Sequence, residues 1–359
     1  MRPIELVDGV RDLISRTPAY PGKALIVDII ANPNAGGFKR RRFAFSRHWE
    51  LAKLQQTAFA LPKRDGEVKV RLHLTERCGH ASAIAQRVVE RSLSNGVDSL
   101  HIIMTAGGDG TSLETAERLI HLAPGERDRF ALLRLPMGTG NDGSEGRNLL
   151  VSLGRFFALL TMERRAAVRV IPSMEGGKMP LWSFNIASVG LDAYVADKTN
   201  RLKAMFPGDS YKFWVNVATL LYDRAYKVAA MRLRAWDSLG SLVFEDEGEK
   251  LFVALGSSGH RQYGSNKKIL PGNENGIAVS QTSLFRKLLV KGAIEQGRHE
   301  HVREVRHFDA AKIEMEYPER IPLQCDGEAE ILARCDFPLA MERVPDLYNV
   351  LVPAPESKS

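Results

Sequence analysis

Residues 99–123 read SLHIIMTAGGDGTSLETAERLIHLA, an apolar run, a glycine-rich loop and an amphipathic stretch in direct succession. SLHIIMT (99–105) has the length and composition of a buried strand, and SLETAERLIHLA (112–123) sets Leu113, Ala116 and Leu119/Ile120 on one helical face. Between them stand Gly107, Gly108, Asp109, Gly110 and Thr111. Glycines allow close backbone approach, and the free N–H groups at a helix start favour an anion. An aspartate beside polyphosphate is repulsive unless Mg²⁺ mediates between them. Taken alone, the pentapeptide also reads as a tight turn in which Asp109 caps the helix. No Gly-Lys-Ser/Thr follows, so it is not a Walker A loop.

On both sides of this unit the pattern repeats. ALIVDII (24–30), VKVRLHL (68–74) and ALLRL (131–135) are strand-like, while RRFAFSRHWELAKLQQTAFA (41–60) and ASAIAQRVVERSL (81–93) are helix-like. Strands alternating with helices of this length predict a parallel α/β sheet covered on both faces. After about residue 163 short extended runs take over, among them LWSFNIASVG, EKLFVALGSS and AAKIEMEY, with helices expected near 192–222 and 283–293. That predicts a mostly antiparallel β domain. The expected division is 24–163 and 164–345, with residues 1–23 as an N-terminal extension and the cleft between domains as the place for chemistry.

Bulk properties exclude more than they choose. The 359 residues carry a net charge of +7, mild enough to suit several anionic partners without selecting one. Three cysteines in no metal spacing fit a reducing cytoplasm, and no stretch approaches the roughly 18–20 apolar residues that cross a bilayer. The nine histidines form no HExxH pattern, which argues against metal-dependent hydrolysis.

Three further polar clusters accompany GGDGT. PMGTGND (136–142) follows strand ALLRL, so two consecutive parallel strands end in polar loops at the carboxyl edge where α/β sheets bind ligands. ANPNAGGFKRRR (31–42) follows the first strand; its KRRR run reads as a solvated helix face, or as a phosphate or anionic-membrane contact. QCDGEAE (324–330) places Asp326 and Glu328 around a glycine, which by itself reads as an Asp-Gly hairpin turn.

In this order, NPNAGG (32–37), GGDGT (107–111), PMGTGND (136–142) and CDGE (325–328) resemble the diacylglycerol kinase catalytic family. That group includes sphingosine and ceramide kinases and soluble bacterial lipid kinases, within the NAD kinase superfamily. SVGLDA (188–193), YGSNKKILPGNENG (263–276) and QGRHEHVREV (296–305) extend the resemblance to roughly residues 25–340. The chain departs from the family pattern at Gly143-Ser144-Glu145-Gly146-Arg147, where an aromatic or aliphatic residue, a small residue and Arg are usual.

The resemblance implies a Rossmann-like nucleotide domain followed by a β-sandwich-like domain, with the last segment packing back on the first. It implies ATP as co-substrate and Mg²⁺. Gly107, Gly108, Gly110 and Thr111 would cradle the phosphates, and Asn32, Gly138, Thr139 and Asn141 would line the nucleotide. Asp109 and Asp142 would touch Mg²⁺ or its waters. Asp326 and Glu328 would come from the second domain, with Glu328 accepting the proton of the acceptor hydroxyl. The acceptor is expected to be a lipid such as diacylglycerol or a sphingoid base, held against WSFNIASVG and the stretch 201–222. A cytoplasmic enzyme with peripheral contact at the inner membrane surface and no nucleic-acid partner is expected, and a homodimer stays open. An NAD kinase-like enzyme with a soluble acceptor, or a non-catalytic nucleotide-binding regulator, are the alternatives.

Overall fold

The structure is a computed structural model that describes residues 1–94, 99–138, 141, 143–205, 222–263 and 267–355. The chain forms two compact units, Met1–Arg165 with Asp346–Ser359, and Ala166–Pro345.

In the first unit β1 (Ala24–Ala31), β2 (Val68–Leu74), β3 (Ser99–Gly107) and β4 (Phe130–Pro136) run parallel in the order β2-β1-β3-β4. β3 and β4 are apolar and buried almost throughout, as a sheet covered on both faces requires. The covering helices are α1 (Pro3–Ile14), α2 (Gly36–Lys39), α3 (Arg41–Phe59), α4 (His80–Ser94), α5 (Asp109–Ile120), α6 (Pro124–Arg127) and α7 (Leu149–Gly154). Because β1 is flanked by β2 on one side and β3 on the other, the loops leaving β1 and β3 diverge and open a crevice at the carboxyl edge.

Residues 1–23, set apart in the sequence as an extension, contribute α1 to this unit's core. Leu6, Val10, Leu13 and Ile14 are buried with Leu25, Val27 and Ile29 of β1 and Leu51 and Leu54 of α3. Full burial of such side chains stabilises by about 1.5–3 kcal/mol each. The C-terminus also returns here, since Val350 pairs in parallel with Leu132 of β4.

The other face of β1 carries a charge. Asp28 is buried and accepts hydrogen bonds from His73 Nε2 (2.8 Å) and Arg91 Nη2 (2.7 Å), with Arg71 at 3.8 Å. Burial pushes its carboxyl up, but the His73 bond and the charges of Arg91, His73 and Arg71 outweigh this and hold it below its usual value. Nearby on β3, His101 is buried against Phe130 with Nε2 beside Ser99 Oγ at 2.9 Å. Burial, helped by the Arg129 charge, pushes the imidazole down from 6.5 to about 4. Between pH 6.5 and about 4 the unfolded chain therefore takes up a proton that the folded chain refuses, and stability falls with acid. We expect His101→Gln to flatten this part of the stability curve, read by urea unfolding at a series of pH values.

The second unit is antiparallel. One sheet runs β16 (Glu328–Leu332), β15 (Ile321–Cys325), β7 (Ile186–Gly190), β9 (Leu242–Gly256), β12 (Gly276–Ser280) and β13 (Val305–Phe308). β9 is long enough to serve a second sheet, in which its first half pairs with β8 (Ala230–Trp236), then β14 (Lys312–Glu316) and β17 (Leu339–Pro353). β5 (Leu160–Ile171) pairs with β6 (Leu181–Ser183), and β10 (Arg261–Tyr263) with β11 (Lys267–Leu270). Side chains from both sheets, including Val189, Leu233, Val253, Ile313 and Leu323, meet in one core, the sandwich arrangement. α8 (Leu191–Met205) and α9 (Leu284–Gln296) contribute Tyr194, Val290 and Ile294 to a second apolar cluster with Phe252, Ile277 and Val279 of the first sheet.

Candidate active site

At the carboxyl edge of the parallel sheet, α5 begins at Asp109, three residues earlier than the sequence pattern suggests. Its N-cap is Gly108, which has no side chain to cap with, so Asp109, Gly110 and Thr111 form the first turn. An acidic group there is favoured by the positive end of the helix macrodipole. Gly107 is required by packing, since a Cβ on it would lie 2.4 Å from Thr111 Oγ1. Gly108 faces open space.

Backbone contacts tie three loops together here. The Asn32 N–H donates to Ala106 O (3.0 Å), and the Gly37 N–H to Met137 O (2.8 Å). A Cβ on Gly138 would lie 2.7 Å from Gly108 Cα, so those two loops touch main chain to main chain. The Asn32 side chain accepts from Asn34 N–H at 2.9 Å and shapes its own turn. Asn141 takes a left-handed conformation (φ 60°), which asparagine tolerates. Asn32, Gly107, Gly108, Gly110, Thr111, Gly138 and Asn141 are thus gathered on one edge of the first unit with Asp109. Thr139 and Asp142 lie outside the described residues.

A buried pair that the sequence reading missed supports the loop after β4. Arg47 and Glu50 of α3 are bonded at 2.7 Å. Arg47 donates to Pro136 O ahead of the loop (3.1 Å) and to Arg147 O behind it (3.1 Å), while Glu50 accepts from Leu149 N–H (2.8 Å). The divergent stretch 143–147 is fixed in the same way: Glu145 meets Arg134 at 3.3 Å, and its carbonyl accepts from Arg155 at 2.6 Å. The helix start is delayed to Leu149, with Asn148 accepting from Val151 N–H as its cap. A signal for the pair was present, because Arg47 and Glu50 fall at core-facing positions of α3.

In the second unit CDGE is a hairpin turn, with Cys325 opposite Glu328 and positive φ at Asp326 (50°) and Gly327 (95°), as a two-residue type I′ turn needs. The Asp326 carboxylate accepts from Ser183 Oγ (2.5 Å) and from the N–H groups of Phe184 (2.6 Å), Asn185 (2.9 Å) and Ile186 (3.1 Å). It is committed to the bend between β6 and β7. Glu328 is exposed, and its carboxylate has no partner among the described residues. Buried Gln324 links the turn onward: its Oε1 accepts from Gly327 N–H (2.8 Å) and its Nε2 donates to Ser188 Oγ (2.9 Å). Ser188 in turn donates to Asp192 Oδ2 (2.7 Å) at the start of α8.

Asp192 also lines a small pocket open to solvent, walled by Val195, Phe252, Ile269, Val290 and Ile294 and flanked by Lys287. Sequence reasoning assigned no role to Asp192 or Gln324, although Asp192 lies in SVGLDA (188–193), which carried the resemblance, and Gln324 directly precedes CDGE. Of the expected acceptor wall, Phe184, Ile186 and Val189 are core residues and 206–221 lie outside the described residues.

With these loops in place, comparison with known proteins is decisive. The model of the diacylglycerol kinase catalytic domain matches residues 27–170, which span all three loops of the first unit. A protein of Xanthomonas oryzae pv. oryzae named "Probable lipid kinase YegS-like" is 30% identical over 243 residues, 62% of this chain and 69% of its own. This chain belongs to the diacylglycerol kinase catalytic-domain family. A relative of the same name from Stenotrophomonas maltophilia is 31% identical over 188 residues, 52% of this chain and 56% of its own. In fold, the chain is similar to the crystal structure of a candidate diacylglycerol kinase from Bacillus anthracis (TM-score 0.57, 18% identity), covering 93% of this chain and 98% of that one. Phosphoryl transfer is the reaction class of such a kinase family. The chemistry suits the site, because that reaction asks chiefly for positioning and for stabilisation of charge on the phosphoryl oxygens. Among the described residues no helix is long and apolar enough to cross a membrane.

Proposed function

We propose that the protein transfers the γ-phosphate of ATP to a hydroxyl group of a lipid. The observation that carries this is the backbone linkage of NPNAGG, GGDGT and PMG at the switch-point edge of the parallel sheet. There the N–H groups of Gly107 to Thr111 can receive phosphate oxygens without side-chain interference. Asn32, Gly138, Thr139 and Asn141 hold the rest of the nucleotide.

Among the described residues no three His, Cys, Asp or Glu side chains gather into a metal site. A magnesium ion is commonly held by one or two carboxylates together with phosphate oxygens, and Asp109 and Asp142 are the carboxylates we assign. Bound there, Mg²⁺ would neutralise charge on the β- and γ-phosphates.

Glu328 is the group we assign to take the proton from the acceptor hydroxyl. Its exposure suits that task, and the four donors on Asp326 hold the turn that carries it. Asp326 is accordingly a positioning residue. The lipid part of the proposal is supported by the mostly apolar lining of the pocket with Asp192 at its wall, the character expected where an apolar group with a polar end is held. Presenting diacylglycerol, a sphingoid base, ceramide and phosphatidylglycerol separately in mixed micelles tests the acceptor. Phosphorylation of one of them is expected, and turnover of none across the panel would overturn the lipid assignment.

A further inference from the structure

α3 carries large apolar side chains on its outer face as well as on the inner one. Its core-facing side holds Ala44, Leu51, Leu54 and Ala58 together with the buried Arg47–Glu50 pair. Successive residues turn by about 100°, so Arg42, Phe45, Trp49 and Lys53 share the directly opposite face. Phe45 is 74% exposed and Trp49 54%, and Lys53 Nζ sits 5.4 Å from the Trp49 ring. Just ahead, Lys39, Arg40, Arg41 and Arg42 are all exposed. The one carboxylate of α3, Glu50, is buried against Arg47, so α3 itself adds aromatic rings and positive charge to the outward face and no exposed carboxylate. The carboxylates of α1 that reach α3 are Glu5, 3.7 Å from His48, and Asp12, bonded to Gln55.

Large apolar side chains left in water on one face, rimmed by cations, mark an interaction surface. We propose that this face of α3 docks on an anionic lipid bilayer. Phe45 and Trp49 enter the boundary between headgroups and acyl chains, and Arg41, Arg42 and Lys53 meet the lipid phosphates, as in helices that lie in the membrane interface. An aromatic pair at i, i+4 on a helix face suits insertion into a planar interface. Complementarity of charge selects anionic over neutral lipid. The inference gives the proposed lipid kinase a way to reach acceptors in a bilayer, yet it stands on surface chemistry that the kinase reaction does not enter.

The test is co-sedimentation of the full chain with large unilamellar vesicles, of phosphatidylglycerol with phosphatidylcholine or of phosphatidylcholine alone, without ATP or acceptor. We expect binding to the anionic vesicles, falling steeply with salt, and weakened about tenfold or more in Phe45→Ser/Trp49→Ser and in Arg41→Glu/Arg42→Glu. Leu239→Ser, which removes a side chain 89% exposed elsewhere, is expected to bind like the wild type. Absence of binding to anionic vesicles, equal binding to neutral ones, or undiminished binding by both double variants overturns the proposal. So does capture of a single-stranded oligonucleotide that depends on the same residues while vesicles are ignored. Since no turnover is measured, the lipid-kinase reading can fail without affecting this result, and the reverse holds.

Discussion

Replacing Glu328 by Gln is expected to lower kcat by roughly 10²–10⁴-fold, the usual contribution of a positioned general base, while leaving ATP affinity close to that of the wild type. The substitution keeps the size and shape of the side chain while removing its charge and basicity and turning one acceptor oxygen into an NH₂ donor. Glu328 opens β16 directly after a turn held by Asp326 and Gln324, so its backbone is set by groups that the substitution leaves alone. Single-turnover phosphate transfer at saturating ATP reads the chemical step, and calorimetric titration of ATP reads binding. An unchanged kcat would remove Glu328 from the reaction, and a loss confined to ATP binding would make it a nucleotide contact.

Gly138→Ala is expected to act on the opposite side of that division. Its new methyl group would lie 2.7 Å from Gly108 Cα and 3.2 Å from Gly107 O, and neither backbone atom can swing aside as a flexible side chain would. The GGDGT and PMG loops must therefore part. A displacement of about 1 Å at a positioned site can cost on the order of 100-fold in rate, and here we expect a loss of that order in kcat/KM for ATP. The fold should survive, because β3 and β4 are paired over seven positions below the loops, from His101–Phe130 to Gly107–Pro136. Circular dichroism and thermal unfolding check survival, and ATP titration checks the loss. Wild-type ATP affinity in Gly138→Ala would show that the contact between these loops is not part of the nucleotide site.

The sequence was most informative where one physical pattern dominates. The runs 24–30, 99–105 and 131–135 appear as parallel strands because a sheet buried on both faces leaves continuous apolar stretches bounded by polar loops. VKVRLHL (68–74) shows itself instead by alternation, being a partly buried strand at the sheet's edge. The GGDGT, PMG and NPNAGG loops were placed together correctly, since successive parallel strands end on the same edge. What stayed hidden depends on contacts distant in sequence. The partners of α1 stayed hidden because nothing in residues 3–14 names Leu51 or Leu25. The Arg47–Glu50 pair stands at core-facing positions of α3, but its carbonyl and N–H partners lie about 90–100 residues away and cannot be read from that spacing. That Asp326 holds the turn was not legible, because the hydrogen bonds on its carboxylate come from residues 183–186, about 140 positions earlier.

One measurement bears most directly on the central claim. Wild-type protein and Asp109→Ala are incubated with Mg²⁺ and ATP labelled at the γ-phosphate, together with mixed lipid micelles and NAD in the same tube. The organic and aqueous phases are then separated. The account predicts label in a phosphorylated lipid in the organic phase, dependent on Mg²⁺ and lost by about a hundredfold or more in Asp109→Ala. Label found in NAD with none in lipid, or undiminished lipid labelling by Asp109→Ala, would contradict it.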